Sequence, residues 1–342
     1  VAGAMALSLC MPALAETWNI SNGSHGFSKV YSITVTGTTG GRTVELFGGG
    51  SSLSQTETDE TVLSGSGATF ISLRGYGAPV AVTLEGLDTK PEVSSLSDAC
   101  IRTGGDVSVE LRGTNTLTIP NRRCIDAEEG SLTLGGTGKL NIRSRSGISV
   151  YDIYGSGSGS FTMNGGSVVT ETVENTDPSI NTFRHRALYS RDGDIVISGG
   201  SVQAKGGELF AGGSIRISDG EVKADALCSE KGLTISGGEV TTKGFNVPDP
   251  IVLSGDAKVT FDGVLGEGGL SRFDLSSLTT DGYLRYKPVD GSAIPDGASL
   301  DINGNVIIHG TLEPQPGGDA GNASGDAGGA IAAVVLGSAA VW

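Results

Sequence analysis

The stretch "LTISGGEV", residues 233 to 240, decides how this chain folds, because nearly the same phrase precedes it as "IVISGGSV" from residue 195 and "IRISDGEV" from residue 215. In each copy, apolar and polar residues alternate on both sides of a Gly-Gly or Asp-Gly step. Alternation with period two predicts a half-buried strand, and glycine at the step predicts a tight turn. The phrase therefore predicts two short strands joined at a glycine corner.

The same unit recurs along most of the chain. The spacing from Ile197 to Ile217 is 20 residues and from Ile217 to Ile235 it is 18. A further copy aligned on the same step begins at residue 161, and looser copies begin near residues 80, 107, 132, 251 and 300. A second apolar column precedes the main one and consists of Ile101, Ile125, Ile148, Leu188, Leu209 and Leu227.

A repeat of about 20 residues cannot bury its own apolar face, so successive repeats must stack and share one core. The predicted fold is all-β, a right-handed parallel β-helix, which is a solenoid with glycine-rich turns. The 56 glycines and the low share of charged residues, 18%, agree with many tight turns between short strands.

The net charge of −15 excludes duplex nucleic acid and an anionic membrane surface as expected partners, because both require clustered Lys and Arg. We expect a monomer that binds no nucleic acid. The only dense basic run is "FRHR", residues 183 to 186.

Both ends of the chain differ in composition from the repeats. Residues 1–15, "VAGAMALSLCMPALA", are expected to be a signal peptide that lacks its first residues. Residues 16–313 are the predicted β-helix domain, with core coils over about 78–310. Residues 314–329 are a Gly, Pro and Asp-rich linker, and residues 330–342 are the expected start of a truncated transmembrane anchor, with a short apolar tail as the alternative. The expected location is secreted, extracellular and membrane-anchored at the cell surface.

Three cysteines remain after the leader. Cys100 and Cys124 occupy equivalent positions in successive repeats, where their Cα atoms could be about 5 Å apart. A disulfide and a stacked pair of reduced thiols are both compatible with that position, and Cys228 is left over in either case.

Residues next to the second apolar column should form an outward column: Arg102, Asp126, Ser149, Tyr189, Phe210 and Cys228. Tyr189 and Phe210 would then be neighbouring aromatic side chains on which a sugar ring could pack. The alternative is that the two rings cover each other, or that they lie beneath the insertion from Glu171 to Asp192. The predicted ligand-binding residues are Tyr189, Phe210, Arg184, His185, Arg186 and Arg191.

Acidic residues collect near predicted turns of neighbouring repeats. Asp192, Asp194 and Asp219 are the candidate ligands of a calcium ion, because calcium prefers carboxylate oxygens. There is no D-x-D-x-D-G loop, and acidic turn residues without a metal are the alternative. Calcium is the only cofactor that the sequence suggests.

No arrangement of residues identifies an enzyme. His25, His185 and His309 lie far apart and next to no recognisable nucleophile, and the 38 acidic residues do not single out a catalytic pair. We expect a protein without catalytic residues, and a polysaccharide lyase or glycoside hydrolase is the minority interpretation.

Four copies carry a resemblance to a known group: "GGDVSVELRGTNTLTI" from 104, "CIDAEEGSLTLGGTGKLNI" from 124, "ALCSEKGLTISGGEVTTKG" from 226 and "IPDGASLDINGNVIIHGTL" from 294. They resemble secreted and cell-surface right-handed parallel β-helix proteins of anaerobic bacteria, of the carbohydrate-binding β-helix domain type. The resemblance implies a non-catalytic protein that binds polysaccharide, such as an acidic plant cell-wall glycan. The alternatives are an adhesin or structural surface stalk that contacts a host or protein partner, and a pectate-lyase-like enzyme.

Overall fold

The computed structural model describes residues 16–58, 60–92, 99–150, 159–172, 186–247, 251–264, 278–280, 282–288, 294 and 298–309. Regular structure in these residues is β-strand, apart from one 3-10 turn at Ser24–Gly26. The strands in chain order are β1 (Glu16–Asn19), β2 (Val30–Thr38), β3 (Gly41–Gly48), β4 (Ser51–Glu57), β5 (Thr61–Gly67), β6 (Phe70–Thr89), β7 (Ile101–Arg112), β8 (Thr114–Ala127), β9 (Leu132–Gly136), β10 (Lys139–Val150), β11 (Phe161–Thr172), β12 (Arg186–Ser190), β13 (Ile195–Lys205), β14 (Glu208–Ala211), β15 (Ile215–Ala224), β16 (Ala226–Ser229), β17 (Leu233–Ile235), β18 (Glu239–Thr242), β19 (Phe245–Asn246), β20 (Ile251–Leu253), β21 (Lys258–Val264), β22 (Leu278–Thr280), β23 (Tyr283–Lys287), β24 (Ser299–Leu300) and β25 (Val306–His309).

Successive repeats pair in parallel and produce three ladders of strands. The first ladder joins the first strands of the repeats, with paired residues Val80, Val107, Leu132, Phe161, Ile195, Ile215, Leu233 and Ile251. The second ladder follows the glycine corner, with paired residues Leu140, Val168, Val202, Val222, Val240, Val259 and Leu284. All of these side chains are buried, as the repeat predicted.

The third ladder contains the second apolar column of the sequence. Its paired residues are Ile33, Ile71, Ile101, Ile125, Ile148, Leu188, Leu209, Leu227 and Phe245. The predicted column from Ile101 to Leu227 is therefore confirmed, and the structure extends it at both ends.

Side chains from the three ladders form one apolar cluster that runs from Trp18 to Ile308. Each fully buried Val, Leu or Ile stabilises the fold by roughly 1.5–3 kcal/mol relative to an exposed position. The prediction of an all-β chain with parallel strand pairing is confirmed.

The corner between the first and second ladders is built on stacked glycines. Gly166, Gly200, Gly220 and Gly238 all have positive φ, from 74° to 94°. A Cβ atom at Gly238 would lie 2.4 Å from the carbonyl oxygen of Gly220 on the preceding repeat. Glycine is required here for its backbone angle and for the close approach of the neighbouring chain.

The ladders begin before residue 78, which was the start predicted from the sequence. Trp18 pairs with Leu63 and Leu63 with Leu84, all in parallel. Outside these pairings, β2, β3 and β4 form an antiparallel ribbon. The repeat pattern of the sequence does not reveal these first repeats, because the residues of the ribbon separate their strands.

The expectation of a further repeat at residues 300 to 308 is wrong. Val306 and Ile308 are buried, but Leu300 and Ile302 are 52% and 101% exposed. Strand β25 runs antiparallel to both β23 and β24. The segment "DINGN" turns the chain back within five residues, and so short a connection joins antiparallel strands only.

Cys100, Cys124 and Cys228 form no disulfide within the described residues, and all three are buried. Burial raises the pKa of the Cys124 thiol well above its ordinary value, and the neighbouring Cys100 raises it further. Of the two alternatives for Cys100 and Cys124, the structure has the pair of reduced thiols.

The expected signal peptide, linker and membrane anchor lie outside the described residues. Within the part of the chain that the structure describes, no helix has the length and apolar character needed to cross a membrane.

Candidate functional site

The residues of the predicted outward column pair with one another in register along the third ladder. Arg102 pairs with Asp126, Asp126 with Ser149, Ser149 with Tyr189, Tyr189 with Phe210 and Phe210 with Cys228. The expectation that the whole column faces water is wrong, because Asp126, Ser149 and Cys228 are buried. Asp126 and Ser149 lie between Arg102 and Tyr189 in the column, and Cys228 lies between Phe210 and Asn246.

Arg186 lies over the two aromatic rings of this column. Tyr189 and Phe210 are half-buried, with ring centroids 5.4 Å apart and planes inclined by 44°. The guanidinium carbon Cζ of Arg186 is 4.3 Å from the Tyr189 centroid and 4.8 Å from the Phe210 centroid. Both distances are within the range of a cation–π interaction, so the rings hold the charged group in place.

A buried carboxylate fixes the same guanidinium from one side. Arg186 Nε lies 3.3 Å from Oε1 of Glu208, whose side chain is only 8% exposed, whereas the Arg186 side chain is 39% exposed. The second carboxylate oxygen of Glu208 is 3.8 Å from the Cys228 sulfur. Glu208 thus anchors the inner edge of the guanidinium while its outer part reaches solvent. We call Arg186, Tyr189, Glu208 and Phe210 the arginine patch.

The chain places these groups together through local register. Strands β12 and β14 pair in parallel, and the register shifts between Arg186 and Leu188. Such an irregularity changes the direction of a side chain without disturbing the ladder. Leu188 and Leu209 remain in the core, while Arg186 turns over the aromatic rings.

More arginines lie on the two strands that precede β12 in the third ladder, although Arg143 is in the part of β10 that belongs to the second ladder. Arg123, on β8, is register partner of Ser146, and Arg143 lies on β10 with Arg145 two residues further. Arg123 is paired with Asp126 at 3.5 Å, and Arg143 with Glu171 at 3.3 Å.

The other predicted binding residues lie apart from the patch or outside the described part of the chain. Arg184 and His185 are outside the described residues. Arg191 faces Asp192, with its Nε 3.9 Å from the carboxylate. Arg186, Tyr189 and Phe210 are therefore the predicted residues that the structure brings together.

The carboxylates predicted to bind calcium are engaged in local contacts. Asp194 accepts a hydrogen bond from the Ser214 backbone N–H at 2.7 Å and pairs with Arg216. Partial burial would raise the pKa of Asp194, but the Ser214 hydrogen bond and the Arg216 guanidinium outweigh burial and lower it. Asp219 accepts from the N–H of Gly220.

Among the described residues, no group of three or more His, Cys, Asp or Glu side chains could hold a metal ion. Asp192, Asp194 and Asp219 thus do not form a calcium-binding group there, and calcium binding by this chain stays a prediction without geometric support.

Two surface features were missed by sequence reasoning. Tyr31 and Phe47 are 43% and 49% exposed on the antiparallel ribbon, with ring centroids 6.3 Å apart. An open groove lies near the last repeats, beside Tyr283 and His309. Tyr31 and Phe47 lie outside the repeated phrases. The groove combines Gly238 and Glu239 of one phrase with Tyr283 and His309, whose contact depends on antiparallel pairing that the repeat pattern does not predict.

Comparison of the chain with protein-family models, with curated proteins and with solved structures gives no match in any of the three. The resemblance to carbohydrate-binding β-helix domains stays a prediction.

Proposed function

We propose that this protein binds an acidic polysaccharide at the arginine patch. The observation that carries the proposal is the position of the Arg186 guanidinium, which is stacked on Tyr189 and Phe210 and paired through Nε with the buried Glu208. An arginine held in this way loses little conformational entropy on binding, because its side chain is already ordered.

The chemistry of the guanidinium favours a carboxylate ligand. Glu208 contacts the Nε edge, and no second carboxylate of the described residues is paired with Arg186. The terminal N–H groups can therefore donate to a planar anion, with which guanidinium forms paired hydrogen bonds. A uronic acid offers that anion on a sugar ring, and the partly exposed edges of the two aromatic rings offer apolar contact beside it.

The neighbouring arginines support an extended ligand. Arg123 of β8 is in register with Ser146 of β10, Arg145 directly precedes that serine, and β10 pairs with β12; strands in a sheet are about 4.8 Å apart. A polysaccharide that runs across the strands would meet one basic position after another. We propose that binding, without bond cleavage, is the role of this surface.

We further propose that the three ladders wind as a right-handed parallel β-helix. Each repeat returns to pair in parallel with the previous one, and connections of this kind are right-handed in about 98% of cases. A location outside the cell, on a surface anchor, belongs to the same proposal and is supported by the composition of residues 1–15 and 330–342.

The test is retention on immobilised polygalacturonate, with a neutral glucan as the comparison matrix. Arg186→Lys keeps the positive charge but loses the planar fork and the stacking, and we expect about tenfold weaker binding to polygalacturonate. The matched control is Arg216→Lys, which alters a paired arginine, 53% exposed, away from the patch. Equal retention of wild type and Arg186→Lys would exclude this site, and no retention of the wild type on any acidic glycan would exclude the function.

A further inference from the structure

A groove of about 720 Å³ opens to solvent beside the last repeats of the stack. Its lining includes three glycines of successive repeats, Gly238, Gly255 and Gly282. A Cβ at these positions would come within 2.4, 2.8 and 3.0 Å of backbone oxygen atoms below. The close approach of the neighbouring repeat therefore requires glycine at these positions, and no side chain projects from them into the groove.

One wall of the groove is a column of the second ladder. Glu239 pairs in register with Lys258, Lys258 with Tyr283, and Tyr283 with His309 of the antiparallel strand β25. The Tyr283 and His309 rings meet edge to face, with centroids 4.8 Å apart and planes at 66°. The histidine thus contacts the tyrosine ring from one side, and both residues line the groove together with the glycines.

The charges of the groove favour a neutral ligand. Lys258 Nζ lies 3.4 Å from Glu239 Oε1, so these two charges largely compensate each other. Asp256 lies in an exposed turn and has no ion-pair partner among the described residues. With histidine counted as neutral, Glu239, Asp256 and Lys258 sum to a formal charge of −1, which disfavours an anion.

We propose that this groove binds a neutral sugar ring. The apolar face of the sugar packs on Tyr283, and its hydroxyl groups donate to the carboxylates of Asp256 and Glu239 and accept from the ammonium of Lys258. Aromatic faces beside a few polar groups are the usual composition of a saccharide site. The site is separate from the arginine patch in sequence and in charge, and it does not depend on the function proposed for that patch.

Saturation-transfer NMR tests the proposal with the methyl glycosides of glucose, galactose, mannose and xylose as neutral probes, and with methyl galacturonate salt as the acidic probe. We expect at least one neutral glycoside to receive saturation from the protein and to bind more tightly than the acidic probe. Tyr283→Ala and Asp256→Ala should each weaken that binding by about five- to tenfold. The control is Tyr31→Ala, which removes an exposed tyrosine from the opposite end of the stack.

Tyr283→Ala could weaken sugar binding simply by disturbing strand β25. Asp256 lies in an exposed turn, so Asp256→Ala should leave the fold intact and tests sugar binding on its own. Saturation of no neutral glycoside, or unchanged affinity in Asp256→Ala, would overturn the proposal. Arg186→Lys should leave the neutral probes unaffected. If Arg186→Lys is retained on polygalacturonate as well as the wild type while a neutral glycoside binds, the patch is refuted and the groove is not.

Discussion

Asp301 illustrates how one side chain terminates the stack of repeats. Its carboxylate accepts hydrogen bonds from the backbone N–H groups of Asn303 and Asn305 at 2.8 and 2.9 Å and from the Asn305 side chain at 2.7 Å. It also pairs with Arg285 at 2.9 Å. These contacts close the turn between β24 and β25, and each of them requires an acceptor at position 301.

The same contacts make stability depend on pH. The hydrogen bonds from Asn305, and then those from Arg285 and Asn303, hold the pKa of Asp301 well below its usual range. Since the folded pKa is depressed, the stabilisation is complete above the unfolded pKa of about 3.9 and is lost as the pH falls toward the folded pKa. We expect Asp301→Asn to be less stable than wild type at pH 7, with the difference narrowing below about pH 4.

Urea unfolding at a series of pH values measures this difference. A difference that stays constant from pH 7 to pH 3 would show that the Asp301 charge does not contribute, and that the variant acts through packing alone.

At the scale of the element, each repeat combines alternating strands with a glycine corner. The strands supply burial, and the corner supplies a backbone angle that other residues adopt only with strain. Gly238, with φ of 75°, and Gly206, with φ of 69°, share that angle but differ in surroundings. No atom lies within 4 Å of a Cβ built at Gly206, whereas one at Gly238 meets the Gly220 carbonyl.

Substituting each of these glycines by alanine separates two contributions to the free energy of unfolding: the strain of a positive φ, and the clash with the neighbouring repeat. We expect Gly206→Ala to lower the free energy of unfolding by about 1–2 kcal/mol, from the backbone angle alone. Gly238→Ala should cost about 2 kcal/mol more, because the neighbouring repeat must move away. Equal losses in urea unfolding would mean that contact between repeats at the corner contributes little.

At the scale of the whole molecule, the parallel ladders need an end, because an unpaired strand edge invites association with another chain. Strand β25 covers the edge of β23 by antiparallel pairing, and Ile308 is buried at 2% exposure against the core. Ile302 lies in the same hairpin and is fully exposed. One isoleucine therefore fixes the hairpin to the stack, and the other does not.

Replacing each isoleucine by arginine tests this role of the hairpin. We expect Ile308→Arg to detach β25, since a buried charge without a partner is too costly to retain, and to expose the β23 edge. Size-exclusion chromatography with light scattering should then show self-association that increases with concentration. Ile302→Arg should elute as the wild type does. A monomeric Ile308→Arg variant would show that the hairpin does not protect this edge.

Much of the fold could be predicted because the repeat imposes its own register. Ile197, Ile217 and Ile235 had to lie in one column once their spacing was known, since any shift by one residue would turn them toward solvent. The repeat could not predict β24 and β25, where the same alternation of apolar residues occurs in strands that run antiparallel. Alternation identifies a strand and its buried face, but it carries no information about the direction of the partner.

The candidate site was predictable only in part, for the same reason. The adjacency of Tyr189 and Phe210 follows from the columns, but the position of Arg186 over both rings depends on a register shift in β12. The salt bridge with Glu208 adds a contact between strands that no local pattern marks.

The sequence by itself determined the all-β class, the parallel columns and the glycine corners, because those features repeat and each copy constrains the next. Only the tertiary structure decided where the stack is closed, which side chains of the outward column are buried, and how the guanidinium of Arg186 is held. These depend on contacts between residues that occur once, and the free energy of such a contact is set by neighbours distant in the chain. "LTISGGEV" therefore specifies the scaffold. The arginine patch lies outside such phrases, whereas the proposed groove combines Gly238 and Glu239 of this phrase with Tyr283 and His309.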